Sequence, residues 1–460
     1  MKKVVTILTI GLAVCLCACS ASEQKGLGTD AGLDMTIDEI KDEDTFEEEL
    51  SPSEESGSKG QRILVDSNGY CPADEKVVYF LGDEEAGIFY VIDAETKEEV
   101  YKGAMILTGH QSKDGEAVLT GNFTSVNKEG TYYIEAPYVG RSYTFEVAGD
   151  YLQSNYKKIA KAMWTEVESQ KAEYIYRVQT LSWLIRYWEY YGDKPETVVV
   201  GEFPDYVQKL SEAGEQLILE KPEEMTTEEM AFHCGVMAQL YEVLKPYDVR
   251  MANQYLREAE AVYKQLDMKR YEEGFDQVWL FYDSALLYKA TGYTRYGTMV
   301  KSYLSANSGR DFFADDVTEE ELWKDEAYVH GAIAYLNTVF KVDVNLCGTL
   351  MEELTDKAES IEKEHDSNLF CCVSANRNNR LLSDRLYVVA MIEHVVVSKE
   401  YVLILEDGLH YINGCNELGK SFLTNEGVFD EVNDTKGSGA AVGGAYLFIL
   451  GEIMESEATE

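Results

Sequence analysis

Between residues 61 and 150 the apolar positions come in short alternating runs: "RILVDSNGY", "KVVYFLG", "GIFYVIDAET", "EEVYKGAMIL", "AVLTGNFTSV", "GTYYIEAP" and "RSYTFEVAG". Val, Ile, Tyr and Phe dominate them. Gly, Asp and Asn punctuate them roughly every ten residues, which predicts an antiparallel β-sandwich of about seven strands. By residue 155 the period has lengthened. Segments such as "YKKIAKAMWTEVESQ", "EEMAFHCGVMAQLYEVL", "DQVWLFYDSALLYKATG" and "RLLSDRLYVVAMIEHVVV" repeat apolar residues at three and four positions, as amphipathic helices do. Roughly eleven or twelve such helices fill the rest of the chain, with no convincing strand. That is too many for one four-helix bundle, and no fixed-length repeat supports an open solenoid. Six helical hairpins closed into a toroid would bury the apolar faces in one core.

The first 60 residues follow neither pattern. "MKKVVTILTIGLAVCLCAC" has a basic head, Lys2 and Lys3, and an apolar run ending in Leu16-Cys17-Ala18-Cys19. The run is too short for a spanning helix and reads as an export signal over residues 1–18. Leu and Ala ahead of a Cys resemble the lipobox of bacterial lipoproteins. The resemblance implies lipidation and acylation of Cys19, a stable membrane anchor, and a place on the bacterial cell surface. Residues 19–60 are acidic, Ser- and Gly-rich and poor in aromatics, so they cannot offset their ordering entropy and are expected to form a disordered stalk. The expected domains are then 1–18, 19–60, 61–150 and 151–460.

Charge narrows the partners. The 41 Lys and Arg against 83 Asp and Glu leave a formal net charge of −42, which excludes nucleic-acid binding and docking on anionic lipid. A neutral polymer such as a polysaccharide is not repelled. Six cysteines follow the anchor, without a C-x-x-C pair; they read as small buried residues, with one or two disulfides left open. The six histidines show no H-E-x-x-H or paired zinc spacing, so no metal or cofactor is expected. Gly437-Ser438-Gly439 lacks the preceding strand and the Lys of a phosphate-binding loop.

Several stretches resemble glycoside hydrolase family 9, the cellulase type with an N-terminal immunoglobulin-like module. "ILVDSNGYCPADEKVVYF" is similar to that module's I-x-V-N-Q-x-G-Y-x-P opening, and "FYVIDAETKEEVYKG" and "NFTSVNKEGTYYIEAP" resemble its later strands. In the helical region "EFPDYVQKLSEAGEQLI" resembles an I-P-D-x-L-D-E segment, "DQVWLFYDSALLYKATGYTRY" a D-E-L-x-W-A-A-A-x-L-Y-x-A-T-G segment, and "EDGLHYINGCNELGKSFLTNEG" a D-Y-x-L-G-x-N-P-x-x-x-S-F-V-T-G-x-G segment. The matches run in family order from about residue 62 to 450. The resemblance implies an immunoglobulin-like sandwich followed by an (α/α)6 barrel, and a polysaccharide of the β-glucan kind as ligand or substrate.

Family members are inverting β-glucanases, which need a general acid and a base-activated water held between two carboxyls about 6.5–9.5 Å apart. The family takes its base from a D-A-G-D motif ahead of the I-P-D segment. Between Tyr151 and Glu202 there is no D-A-G-D. Its acid comes from an N-E-x-A-x-x-x-N-A segment before the last helix, where this chain reads "EVNDTKGSGAAVGG". The acid candidates are therefore Glu426, Glu431 and Asp434, of which Asp434 also suits a helix N-cap. No His follows His410, so the family's His-His-Arg sugar-binding stretch is absent as well. For sugar stacking the candidates are Trp183, Trp188, Tyr190 and Tyr191, with core packing the competing role for each ring. Two readings stay open: a catalytically impaired relative that binds glycan at the cell surface, and a divergent inverting endo-glucanase with relocated carboxylates.

Overall fold

The computed structural model describes residues 61–459 apart from 83–86, 113, 193–205, 308, 374–377, 425–426 and 429–442. The expected signal and stalk lie outside these described residues.

Alternation builds the first layer. In β2 (Val77–Gly82) Val78 and Phe80 point inward, as do Phe89 and Val91 in β3 (Ile88–Asp93). One sheet runs β1 (Ile63–Leu64), β2, β6 (Ala117–Asn122), β5 (Ile106–Gln111). The other runs β4 (Glu99–Ala104), β3, β7 (Gly130–Ala136), β8 (Gly140–Arg141), with β9 (Phe145–Val147) also on β7. All these pairings are antiparallel. Phe80, Phe89, Leu119, Ile134 and Phe145 close the core between the sheets. The nine strands exceed the expected seven because β1 and β8 have two residues each, too few to show a period.

The helical pattern resolves into twelve α-helices among the described residues, alternating between two burial patterns. Helices α1 (Tyr151–Glu168), α3 (Tyr206–Glu220), α5 (Val249–Lys269), α7 (Thr294–Ala306), α9 (Val344–Ser367) and α11 (Lys399–Asn413) bury one stripe each, such as Leu350, Leu354, Ala358 and Ile361 of α9. Helices α2 (Tyr174–Tyr191), α4 (Thr227–Leu244), α6 (Val278–Thr291), α8 (Glu319–Leu336), α10 (Asn379–Glu393) and α12 (Gly444–Thr459) are covered on nearly every side. A helix apolar all round belongs inside. The six therefore form an inner ring and the first six an outer ring, giving six hairpins and the (α/α)6 barrel. Neighbouring inner helices pack directly, except across α8 and α10, where helix contact is sparse. Against expectation, a minimal hairpin of β10 (Leu423–Thr424) and β11 (Gly427–Val428) follows α11. None of the six cysteines beyond residue 60 forms a disulfide.

The sandwich docks through a buried polar knot. Asp66 Oδ1 accepts from the backbone N–H of Asn68 and Gly69 at 2.7 and 3.0 Å. Its Oδ2 accepts from Tyr151 at 2.6 Å and His410 Nδ1 at 2.8 Å. Asn413 continues the chain by donating to Tyr151 and accepting from Tyr446. Only glycine fits position 69: its φ is +119°, and a Cβ would lie 2.4 Å from the Glu146 carbonyl oxygen.

Candidate functional site

The inner helices all begin at one end of the barrel, and their first turns set its mouth. Helices α4 and α8 each open with a capping box. Thr226 and Thr318 accept from the backbone of Glu229 and Glu321, whose carboxylates accept in return. These caps hold Glu228, Glu319 and Glu320 in the first turns, where the helix dipole favours negative charge. Glu228 and Glu320, with Glu272, Glu273 and Asp276, make an acidic rim around a pocket of about 140 Å³ that Lys324 also lines. Lys324 is held by Glu320 at 2.7 Å.

Deeper in, where α8 meets α10, side chains take over from helix packing. Arg380 pairs with Glu326 at 3.2 Å, Glu319 at 3.7 Å and Asp384 at 3.9 Å, beneath the ring of Trp323. Gln179 donates to Glu326 at 3.2 Å, and Tyr176 to Glu319 at 3.4 Å. Arg186 lies 3.1 Å from His330 Nε2. Because a guanidinium can only donate, Nε2 accepts and the neutral ring carries its proton on Nδ1, facing Glu326 at 3.7 Å. Burial, aided by Arg186, drives the His330 pKa well down, which keeps the ring neutral.

Burial is also the leading influence on the two axial carboxyls. It raises Glu326 against the opposing charges of Arg380 and Arg186. Asp384 is pushed well up by burial and by the neighbouring Glu326, against Arg380. Arg380 reaches both carboxyls, at 3.2 Å to Glu326 and 3.9 Å to Asp384.

The connection from α1 to α2 is only five residues, Ser169-Gln170-Lys171-Ala172-Glu173, without an aspartate. Glu426, Glu431 and Asp434 lie outside the described residues. The aromatic candidates are placed away from the mouth. Trp183 is buried mid-barrel, edge-on to His330 and Tyr387 at centroid distances of 4.9 and 4.8 Å. Trp188 stacks on Tyr206 at 5.0 Å. Tyr190 packs edge-on against Phe448 and His394, and buried Tyr191 donates to Glu452 at 2.5 Å, both in the last turn of α2 at the far end. Trp183 and Tyr191 are buried, whereas Trp188 and Tyr190 are partly buried against other rings. Sequence reasoning missed Arg186, Glu326, His330, Arg380 and Asp384. Glu326 and His330, one helical turn apart in the otherwise covered α8, were the available signal.

Comparison with known proteins agrees with this architecture. The model for the cellulase N-terminal ig-like domain matches residues 58–141. That for glycosyl hydrolase family 9 matches residues 143–429, more than half of the chain.

The chain belongs to glycosyl hydrolase family 9.

Among curated relatives, Endoglucanase D of Acetivibrio thermocellus is 33% identical over 104 residues, which cover 22% of this chain and 16% of that protein. Among solved structures, a metagenome-derived glycoside hydrolase family 9 endoglucanase superposes with a TM-score of 0.69 at 15% identity, covering 85% of this chain and 99% of that one. A family 9 protein of Bacteroides ovatus gives 0.64 at 13% identity over 86% of this chain and 99% of its own. These likenesses concern the fold.

Proposed function

We propose that this family 9 protein is a lipid-anchored surface protein, held through Cys19, that binds β-glucan-like polysaccharide without cleaving it at an enzyme's rate. The observation that carries the reading is the five-residue α1–α2 connection, which has no aspartate where the family resemblance calls for a D-A-G-D base. Losing a carboxylate of an inverting pair removes either the activated water or the leaving-group proton. Glycosidic hydrolysis is slow enough unaided for that to cost many orders of magnitude. The acidic rim suits a neutral polymer, and the relatives named endoglucanases make a β-glucan the first ligand to try. A surface location rests on the lipobox-like Leu16-Cys17-Ala18-Cys19.

A second reading has one observation in its favour. Burial shifts both Glu326 and Asp384 upward, the direction a general acid requires. The test incubates the full chain with soluble β-glucans, xylans and mannans and follows reducing ends alongside affinity electrophoresis. Retardation without new reducing ends is the expected result. Sustained turnover lost in Glu326→Gln, Asp384→Asn or Glu426→Gln would establish the divergent endo-glucanase instead.

A further inference from the structure

On the flank where the helical ring meets the sandwich, α9 ends at Ser367 and the chain makes a single turn through Leu369–Cys371. Phe370 and Cys371 both adopt left-handed angles, φ 61° and 52°. This turn carries Cys371 Sγ beside His365 of α9 and Asp407 of α11. One sulfur, one nitrogen and one oxygen then lie within 4.8 Å of one another. His365 Nε2 and Asp407 Oδ2 are 2.9 Å apart, and His365 Nδ1 faces Asp366 Oδ1 at 3.1 Å.

We propose that His365, Cys371 and Asp407 form a binding site for a zinc-class divalent cation, with water as the fourth ligand. Zinc bound tetrahedrally at about 2.0–2.3 Å holds its donors roughly 3.3–3.7 Å apart. Here His365 and Asp407 stand 2.9 Å apart and all three donors lie within 4.8 Å, so small side-chain rotations accommodate the ion. Asp366 supplies what a metal-binding imidazole needs: a carboxylate on Nδ1–H, which leaves the Nε2 lone pair for the metal. A thiolate beside an imidazole selects zinc over calcium or magnesium, which prefer oxygen alone. The side chains of His365 and Asp407 are 12% and 33% exposed, so an ion can enter. Asp407 also borders a small pocket with Tyr79 and His410. The sequence concealed this set because its members belong to three separate elements, up to 42 residues apart. The site is independent of the glycan reading. Its effect would be to tie the α9–α10 connection to α11, the helix that carries the sandwich.

The test titrates the chelator-treated full chain with Co²⁺ under a non-thiol reductant. One equivalent should produce a thiolate-to-cobalt charge-transfer band with tetrahedral d–d absorption, bleached by Zn²⁺. Cys371→Ser should abolish the charge-transfer band and Cys347→Ser should keep it. Asp366→Asn should weaken zinc binding by about tenfold or more. Should Cys371→Ser not fold, Asp407→Asn serves in its place and should weaken zinc at least as much. Absence of the band at stoichiometric cobalt, its survival in Cys371→Ser, or unchanged zinc affinity in Asp407→Asn would overturn the proposal.

Discussion

His410 owes its behaviour to a carboxylate far away in sequence. Burial alone would lower its pKa. The hydrogen bond and charge of Asp66, with Asp74 and Asp407 nearby, outweigh burial and lift it to about 9. A histidine raised in the folded state stabilises fully below its unfolded pKa near 6.5, and that contribution disappears as pH climbs through 9. Urea unfolding should therefore show stability falling between pH 6.5 and 9, by on the order of 3 kcal/mol from this residue. His410→Gln should remove that part of the slope, and an unchanged slope would contradict the assignment. A second residue-scale prediction concerns Gly444, whose added Cβ would meet the Trp183 ring at 2.2 Å. Gly444→Ala should cost about 1–3 kcal/mol by thermal unfolding; an unshifted midpoint would mean that α12 is free to move off Trp183. The same contact shows why sugar stacking and core packing could not be told apart for Trp183 in the sequence. A sequence displays an aromatic ring, but it does not display the glycine that will lie against it.

At the scale of elements the sequence was most informative where a pattern has room to repeat. "TTEE" and "TEEE" carry the Thr-x-x-Glu spacing of the two capping boxes, and both formed. Thr318→Ala should cost about 1 kcal/mol in urea unfolding. The double variant with Thr226→Ala should be additive, since the two caps share no partner. A loss of the whole transition in either single variant would show that the caps hold more than their own helices. Long helices and six-residue strands were legible from periodicity, whereas β1, β8 and the β10–β11 hairpin fell below the length that periodicity can report. The axial site escaped notice for a related reason. Arg380, Glu326 and Gln179 come from three helices, and nothing within any one of them marks the convergence.

For the whole molecule, the sandwich behaves as part of the barrel's structure. Tyr151 and His410 are buried and donate to Asp66. A fragment starting at Tyr151 would leave a buried imidazole and a buried hydroxyl without their acceptor, a penalty of about 1–3 kcal/mol for each group. Such a fragment should melt well below the full chain by circular dichroism and elute as aggregate on gel filtration. A monomer with an unchanged midpoint would show that the module is an independent passenger. Fold class was legible at this scale because many loose matches occurred in one order. The knot itself was not, because its two halves stand 344 residues apart. That separation bears on biogenesis. A ribosome must have delivered nearly the entire polypeptide before Asp66 can find its imidazole, so premature stop codons ahead of His410 should yield a product whose already synthesised first domain has nothing to grip.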